Sequence, residues 1–530
     1  MSPKFQKRSA LKFARRTIPC AKHIGISGSL HWGIISLVDL QDTSLYIYTM
    51  KKEFLIKKRR TKLVITMGPA LQDGGLLREA LKLADAVRLN ASHSKPEERT
   101  PVLKLIRKIS DELGRMIPIF LDLQGPKWRI GLLEAPVNLE KDSIGVLYAP
   151  GIPAPKGHPW TAPLPHPELF TGAKVGQIWV LDDGALKLEV MEIRNQQILL
   201  KVLVGGLLKA RKGVHPIGLD VAFDPLTPQD LEDVRWGVEE GVDLFAQSFV
   251  RRASDVEALS LHIKELGGPQ TIIAKIEHPQ ALDNLEEILH VSWGVMVARG
   301  DLGVEFGVEK VPALQKQIIR KARQALKPVI TATQMLESMI ENPQPTRAEA
   351  SDVANAIWDG TDAVMLSAES AVGKHPLEAV RYLDSIAADA DAHYNPRIGL
   401  LTDTLEEDLS GRTDVSVAFA ACRTAEEIAA KLIVVFTEGG GSARLVSRLA
   451  ADIPVIGATT DIGNARRMGL LRGVESLLIP RARHLSEMLA SIHPLLKTLK
   501  GLESGDRVVM TLGHPLWTTG TTNMMRVETY

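Results

Sequence analysis

At 530 residues the chain is too long for one core, and about two to four domains are expected. Its 64 Lys and Arg against 63 Asp and Glu leave a net charge of +1, which gives no reason to expect nucleic acid or an anionic membrane as partner. Two cysteines, Cys20 and Cys422, exclude a disulfide framework and point to a reducing, cytoplasmic setting, and no apolar run is long enough to span a membrane.

Residues 1–22 carry seven Lys or Arg, and the first acidic residue is Asp39. That bias belongs to transit-like leaders. The other reading is an upstream extension outside the fold, because Met50 opens a plausible start of its own; residues 1–57 are therefore set apart. From Thr61, short runs rich in Val and Ile alternate with helical segments, the pattern of a parallel sheet with crossover helices. The spacing predicts strands at 61–66, 85–90, 117–122, 242–248, 271–275, 294–299, 328–333 and 362–367. Thr227-Pro228 marks a helix start, and Ser254 with Glu257 and Thr346 with Glu349 have capping-box spacing. Eight such units over 58–131 and 218–390 predict a (β/α)8 TIM barrel. Residues 132–217 interrupt it with a proline-rich stretch and β-rich runs turning at Asp182-Asp183-Gly184 and Asn195-Gln196, read as a small β lid domain. Residues 395–530 read as a separate C-terminal α/β domain.

Barrel chemistry gathers where strands meet the following loops. Strand 2 ends in Arg88, Asn90, Ser92 and His93, strand 3 in Asp122, strand 4 in Ser248, and strand 5 in Lys275 and Glu277. Strand 6 runs into Arg299-Gly300-Asp301, strand 7 into Thr333-Gln334, and strand 8 into Ser367 and Glu369. Glu277 and Asp301 are hard oxygen ligands suited to Mg²⁺ or Mn²⁺, with substrate and water completing the shell. Lys275 adds a point charge and Arg88 a planar fork for phosphate. Gly300 permits close approach, and a helix starting near Asp301 offers free amides to a carboxylate. The natural guest is a small phosphorylated, carboxylate-bearing anion. Taken singly, a Lys-x-Glu pair is usually a solvated surface pair, and Asn90, Ser92 and Thr333 are usual turn or cap residues; only convergence makes a site.

The segments TKLVITMGPA, RLNASHS, LDLQGPKWRIG, AKIEHPQAL, VMVARGDLGVE and the long block from ITATQMLESM to VMLSAES resemble pyruvate kinases, in order and spacing. The resemblance implies the barrel, a mobile lid, a regulatory C-terminal domain, homotetramers, and transfer of phosphate from phosphoenolpyruvate to ADP in glycolysis. It assigns Lys275 to the phosphoryl group in flight, Glu277 and Asp301 to Mg²⁺, and Gly300, Asp301 and Thr333 to the carboxylate of phosphoenolpyruvate or pyruvate. Arg88 takes phosphate, Arg129, His93 and Lys212 face ADP/ATP, and Ser367 and Glu369 lie near the proton route. The monovalent-cation positions correspond to Asn90, Ser92, Asp122 and Leu123. In many members a Thr stands at Leu123 and a Glu at Lys127; members with Lys there are typically independent of K⁺, so no K⁺ requirement is expected. Ala91, Ser94, Trp293 and Ala368 also depart from the usual pattern, and Trp293 and Trp128 are expected to add bulk near the mouth. The loop TEGGGSAR (437–444) resembles the family's site for a phosphorylated effector, with Thr437, Ser442 and Arg444 as ligands and Glu438 opposed. An ordinary glycine-rich turn stays open there. Two other classes remain: a metal-dependent aldolase or lyase on the same barrel, and a non-catalytic sensor.

Overall fold

A computed structural model describes residues 59–194, 196–219, 224–394, 411–450, 453–498 and 502–530. The readings of residues 1–57 and the turn residue Asn195 lie outside the described residues. Strands β1 (Lys62–Thr66), β2 (Ala86–Asn90) and β3 (Ile119–Asp122) open a barrel. The chain then leaves it for β4 (Val137–Leu139), β5 (Ile144–Tyr148), β6 (Thr161–Pro163), β7 (Ile178–Leu181), β8 (Leu186–Arg194), β9 (Gln197–Val204), β10 (Gly206–Leu208) and β11 (Val214–Pro216). It returns with β12 (Leu244–Gln247), β13 (Thr271–Ile276), β14 (Gly294–Ala298), β15 (Val329–Ala332) and β16 (Ala363–Met365). The eight barrel strands close in the order β1-β16-β15-β14-β13-β12-β3-β2, every pairing parallel.

Strands covered by helices outside and packed against one another inside must be apolar on both faces, and β1 and β14 are buried at every position. The interior is filled by Val64, Phe120, Leu244, Ile273, Met296, Ile330 and Met365. The lid strands obey the opposite rule. In β9, buried and half-exposed residues alternate, as in a sheet with one face on a core. That core is built around Trp160 and Trp179, and β11-β7-β8-β9-β5-β6 form one curled sheet beside the β10-β4 pair.

Two of the three expected helix starts stand as read. The Thr227 hydroxyl accepts from the Asp230 amide at 3.1 Å, and Thr346 does the same from Glu349 at 3.2 Å, each carboxylate returning to the cap amide. The Ser254–Glu257 box does not form. That helix, Ala253–Glu265, starts two residues earlier with Arg252 in the cap position, and Asp255 instead accepts from the Arg251 amide at 2.9 Å.

The C-terminal domain holds β17 (Leu432–Phe436), β18 (Val455–Thr459), β19 (Val474–Leu478), β20 (Arg507–Gly513) and β21 (Thr522–Thr529), in the order β19-β18-β17-β20-β21 with only β21 antiparallel. It docks under the strand starts. Asp391 accepts from the amides of Arg60 and Thr61 at 2.6 and 2.7 Å and pairs with Arg472. Arg448 pairs with Asp362 and donates to the Lys327 carbonyl at 2.7 Å. Trp293 belongs here too. It precedes β14 at the strand's foot and packs between the barrel interior and the C-terminal core, so it adds no bulk at the mouth. Trp128 does lie at the lid–barrel cleft, its indole N–H donating to Glu168 at 2.8 Å.

Candidate active site

In an extended segment, residues two apart project to one face. Lys275 and Glu277 therefore rise together from the end of β13, and they meet: Lys275 Nζ lies 2.8 Å from Glu277 Oε1. The same ammonium lies 3.3 Å from Asp122 Oδ1 at the end of β3 and donates to Ser248 Oγ, just past β12, at 2.7 Å. Arg88 on β2 completes the row, its Nε donating to Asp122 Oδ2 at 2.7 Å and its Nη1 to Thr66 Oγ1 at 3.2 Å. Residues from five strands thus share one ion network at the C-terminal mouth. Glu277 Oε2 is fixed by the Phe249 amide at 2.9 Å, and Phe249 itself sits at φ 55°, in the left-handed region a bulky residue rarely adopts.

Charge decides what this network lacks. Burial would raise the Asp122 carboxyl, but Lys275 and Arg88 outweigh it and hold it below the ordinary range. Burial would lower the Lys275 ammonium, but Asp122, Glu277 and Asp301 more than reverse that and raise it. Glu277 behaves differently. Burial and the nearby Asp301 push its carboxyl up to about 7, against Lys275 and the Phe249 amide. Two cations against three acids leave a surplus carboxylate, and a cation is what that surplus invites. Among the described residues no three His, Cys, Asp or Glu side chains form a metal cluster. A hard divalent cation held by Glu277 and Asp301 would take its other ligands from substrate and water.

The helix expected near Asp301 forms as Arg299–Phe306, beginning directly at the end of β14. Its first turn places Gly300 and Asp301 at the mouth with amides unpaired inside the helix. The Gly300 amide donates to Thr333 Oγ1 at 2.9 Å, bringing the ends of β14 and β15 together. Thr333 and Gln334 both have positive φ, 66° and 53°. The buried Arg299 holds them there: Nη2 donates to their two carbonyls at 2.7 and 2.9 Å, Nε to the Thr333 carbonyl at 3.1 Å, and Nη1 pairs with Asp352 at 2.6 Å. No local feature of the chain marks the roles of Arg299, Thr66 or Phe249, which come from contacts with distant strands. At β16, buried Glu369 accepts from the amides of Ser367 at 2.7 Å and Leu336 at 3.1 Å, and burial raises its carboxyl. The Ser367 hydroxyl is buried with no hydrogen-bond partner.

The other expected groups lie around this centre. Asn90 pairs in register with Asp122, its side chain capping the Ser92 amide at 3.1 Å, while Leu123 is buried and Lys127 lines the lid–barrel cleft that Asp301 also lines. Lys212 pairs with Asp182 at 2.6 Å, Arg129 Nη1 donates to the Arg211 carbonyl at 3.1 Å, and His93 is exposed after β2. In the C-terminal domain Thr437 Oγ1 accepts from the Gly440 amide at 3.0 Å, Ser442 meets Thr522 Oγ1, and Arg444 Nη1 reaches the Trp293 carbonyl at 3.5 Å. Glu438 is turned aside, pairing with Arg481 at 3.0 Å.

Comparison with known proteins decides between a kinase and a lyase on this scaffold. A family model for the pyruvate kinase barrel domain matches residues 58–380, and one for the pyruvate kinase alpha/beta domain matches residues 415–528. The chain belongs to the pyruvate kinase family. A pyruvate kinase of Agrobacterium vitis is 41% identical over 479 residues, covering 89% of this chain and 99% of that protein. One of Staphylococcus aureus (strain MRSA252) is 38% identical over 476 residues, covering 89% of this chain and 80% of its own. Like other pyruvate kinases, the chain is a phosphotransferase that passes phosphate from phosphoenolpyruvate to ADP, giving pyruvate and ATP in glycolysis. Nothing favours the aldolase reading.

Proposed function

We propose that the mouth network performs the phosphoryl transfer, with Lys275 on the group in flight and Arg88 on its oxygens. The observation that carries this is the position of Lys275 Nζ, 2.8 Å from Glu277 and 3.3 Å from an Asp122 that Arg88 already engages. A transferring phosphoryl group is stabilised mainly by positioned charge, and here both cations are fixed before substrate arrives. Gly300, Asp301 and Thr333 receive the carboxylate end, through amides of the first helical turn and the Thr333 hydroxyl. Glu277 and Asp301 hold Mg²⁺, with Mn²⁺ as substitute. When bound, the ion supplies Lewis-acid stabilisation of the developing enolate oxygen, on the order of several kcal/mol. Ser367, whose buried hydroxyl is unpartnered, with Glu369 beneath it, serves the proton that turns the enol into the ketone. Arg129, His93 and Lys212 take the nucleotide, and the lid keeps water from accepting the phosphate. Pyruvate formation that depends on ADP and stops with EDTA, then returns with Mg²⁺ or Mn²⁺, is the expected result; ADP-independent pyruvate release refutes the assignment.

The monovalent-cation site is filled by protein charge. Asp122 is neutralised by both Arg88 and Lys275, the Leu123 side chain offers no oxygen and its carbonyl already accepts from Ser248 Oγ at 2.7 Å, and Lys127 lines the cleft. Activity in tetramethylammonium buffer is expected to match that with added K⁺ within about twofold, and Lys127→Glu is expected to create a K⁺ requirement. Activity that appears only with K⁺ defeats this reading.

Assembly as a homotetramer is supported by β21, an outer strand of its sheet with Met524, Met525 and Val527 exposed. A phosphorylated effector at Thr437, Ser442 and Arg444 is supported by a cavity of about 300 Å³ beside them, with Glu438 drawn off by Arg481. Among the described residues no helix is long and apolar enough to cross a membrane, and we place the enzyme in the cytoplasm, where its substrates are.

A further inference from the structure

The lid joins the barrel through two connectors that run side by side. The outgoing one, 128–131, pairs antiparallel with the incoming one, 211–214: the Val214 amide donates to the Trp128 carbonyl at 2.9 Å, and the Ile130 amide to the Lys212 carbonyl at 2.9 Å. Neighbouring amides of an extended segment point to opposite sides, so those of Arg129 and Gly131 face away from this ladder. The Gly131 amide finds the Pro163 carbonyl at 2.8 Å, at the end of β6. The Arg129 amide is met by a side chain instead, donating to Nε2 of His166 at 2.9 Å. His166 immediately precedes the short helix Pro167–Gly172, whose Leu169 and Phe170 are buried in the lid core and anchor it. Glu168 of the same helix accepts from the Trp128 indole at 2.8 Å and lies 3.6 Å from His166 Nδ1. The Arg129 guanidinium is held to the Arg211 carbonyl at 3.1 Å.

We infer that His166 is a positioning residue for the nucleotide: its ring, acting as a hydrogen-bond acceptor, fixes the backbone of Arg129 on the connector that also pairs with Lys212. The inference rests on the reading that Arg129 and Lys212 take ADP, and adds the group that places them. A ring nitrogen that accepts is unprotonated, so the proton of the neutral imidazole sits on Nδ1, toward Glu168. Burial favours that state, lowering the imidazole against the opposing pull of Glu168. The charged groups around the ring are Glu168, on its own helix, and Arg129, on the connector. The bond is present above the ring's pKa and is lost as pH falls through it, because a protonated Nε2 meets the Arg129 N–H donor to donor. The connector then loses its hold. The cost falls on ADP and not on phosphoenolpyruvate, whose proposed ligands Arg88, Lys275, Gly300, Asp301 and Thr333 stand on the barrel.

The test measures initial rates of the full-length enzyme with ADP varied at saturating phosphoenolpyruvate, then the reverse, from about pH 5 to about pH 8.5. His166→Leu is expected to raise KM for ADP about tenfold, with kcat and KM for phosphoenolpyruvate within about twofold. His166→Gln, whose carbonyl reaches the place of Nε2, is expected to stay within about twofold of wild type at about pH 8, while the shorter His166→Asn behaves like the leucine variant. ADP titrates in the same range, so the readout is the ratio of KM for ADP in wild type to that in His166→Gln. That ratio is expected to rise about threefold or more as pH falls, since the glutamine amide stays an acceptor throughout. A flat ratio, or a glutamine variant no better than the leucine one, overturns the acceptor role. Arg129→Met checks the reading beneath it. If that variant raises KM for ADP while His166→Leu does not, this inference fails and the nucleotide assignment stands; if it leaves KM for ADP unchanged, both fall. The glutamine ratio keeps the test decisive should the leucine variant fail to fold.

Discussion

Lys275→Met is expected to lower kcat about a thousandfold, the loss typical of removing a preorganised charge from a transition state. Mn²⁺ affinity, followed by water-proton relaxation, should be unchanged or tighter, because Glu277 and Asp301 lose a competing cation while Glu277 keeps its backbone anchor. Asp122 keeps Arg88 at 2.7 Å and Glu277 keeps the Phe249 amide at 2.9 Å, so the mouth has other supports. Lys275→Arg should recover only part of the rate, since a planar fork cannot reproduce a compact ammonium 2.7 Å from Ser248 Oγ and 2.8 Å from Glu277. Near-normal turnover in the methionine variant would show that Lys275 does not carry the transfer.

Arg299→Met should act differently. Its guanidinium is engaged by protein groups, holding both carbonyls of a turn in which Thr333, a β-branched residue, sits at φ 66°. Such a conformation costs about 1–3 kcal/mol and persists only when its surroundings impose it. Without the guanidinium the turn relaxes, Thr333 Oγ1 leaves the Gly300 amide, and the carboxylate pocket opens. The expected result is a fall of about a hundredfold in kcat/KM for phosphoenolpyruvate with KM for ADP little changed. Arg299→Lys should not rescue it, because a compact ammonium cannot span the two carbonyls and Asp352 that the guanidinium reaches with separate nitrogens. A loss shared equally between the two substrates would mark a general structural defect and remove the positioning role.

The chain by itself determined the architecture and most of the site's membership, because both rest on local geometry. Period-two extension puts Lys275 and Glu277 on one face whatever surrounds them, and parallel strands put each following residue at the same mouth. The helix over 253–265 is capped two residues before the expected Ser254, at Arg252, where Asp255 accepts from the Arg251 amide. Trp293 precedes β14, a place that already puts it at the strand's foot rather than the mouth, and the C-terminal core it also packs against belongs to another domain. Tertiary structure alone decided the electrostatics. That Asp122 is doubly neutralised and held low while burial and Asp301 push Glu277 up depends on distances among the strand ends, and Coulomb energy at such range is set by ångströms that no spacing in the chain encodes.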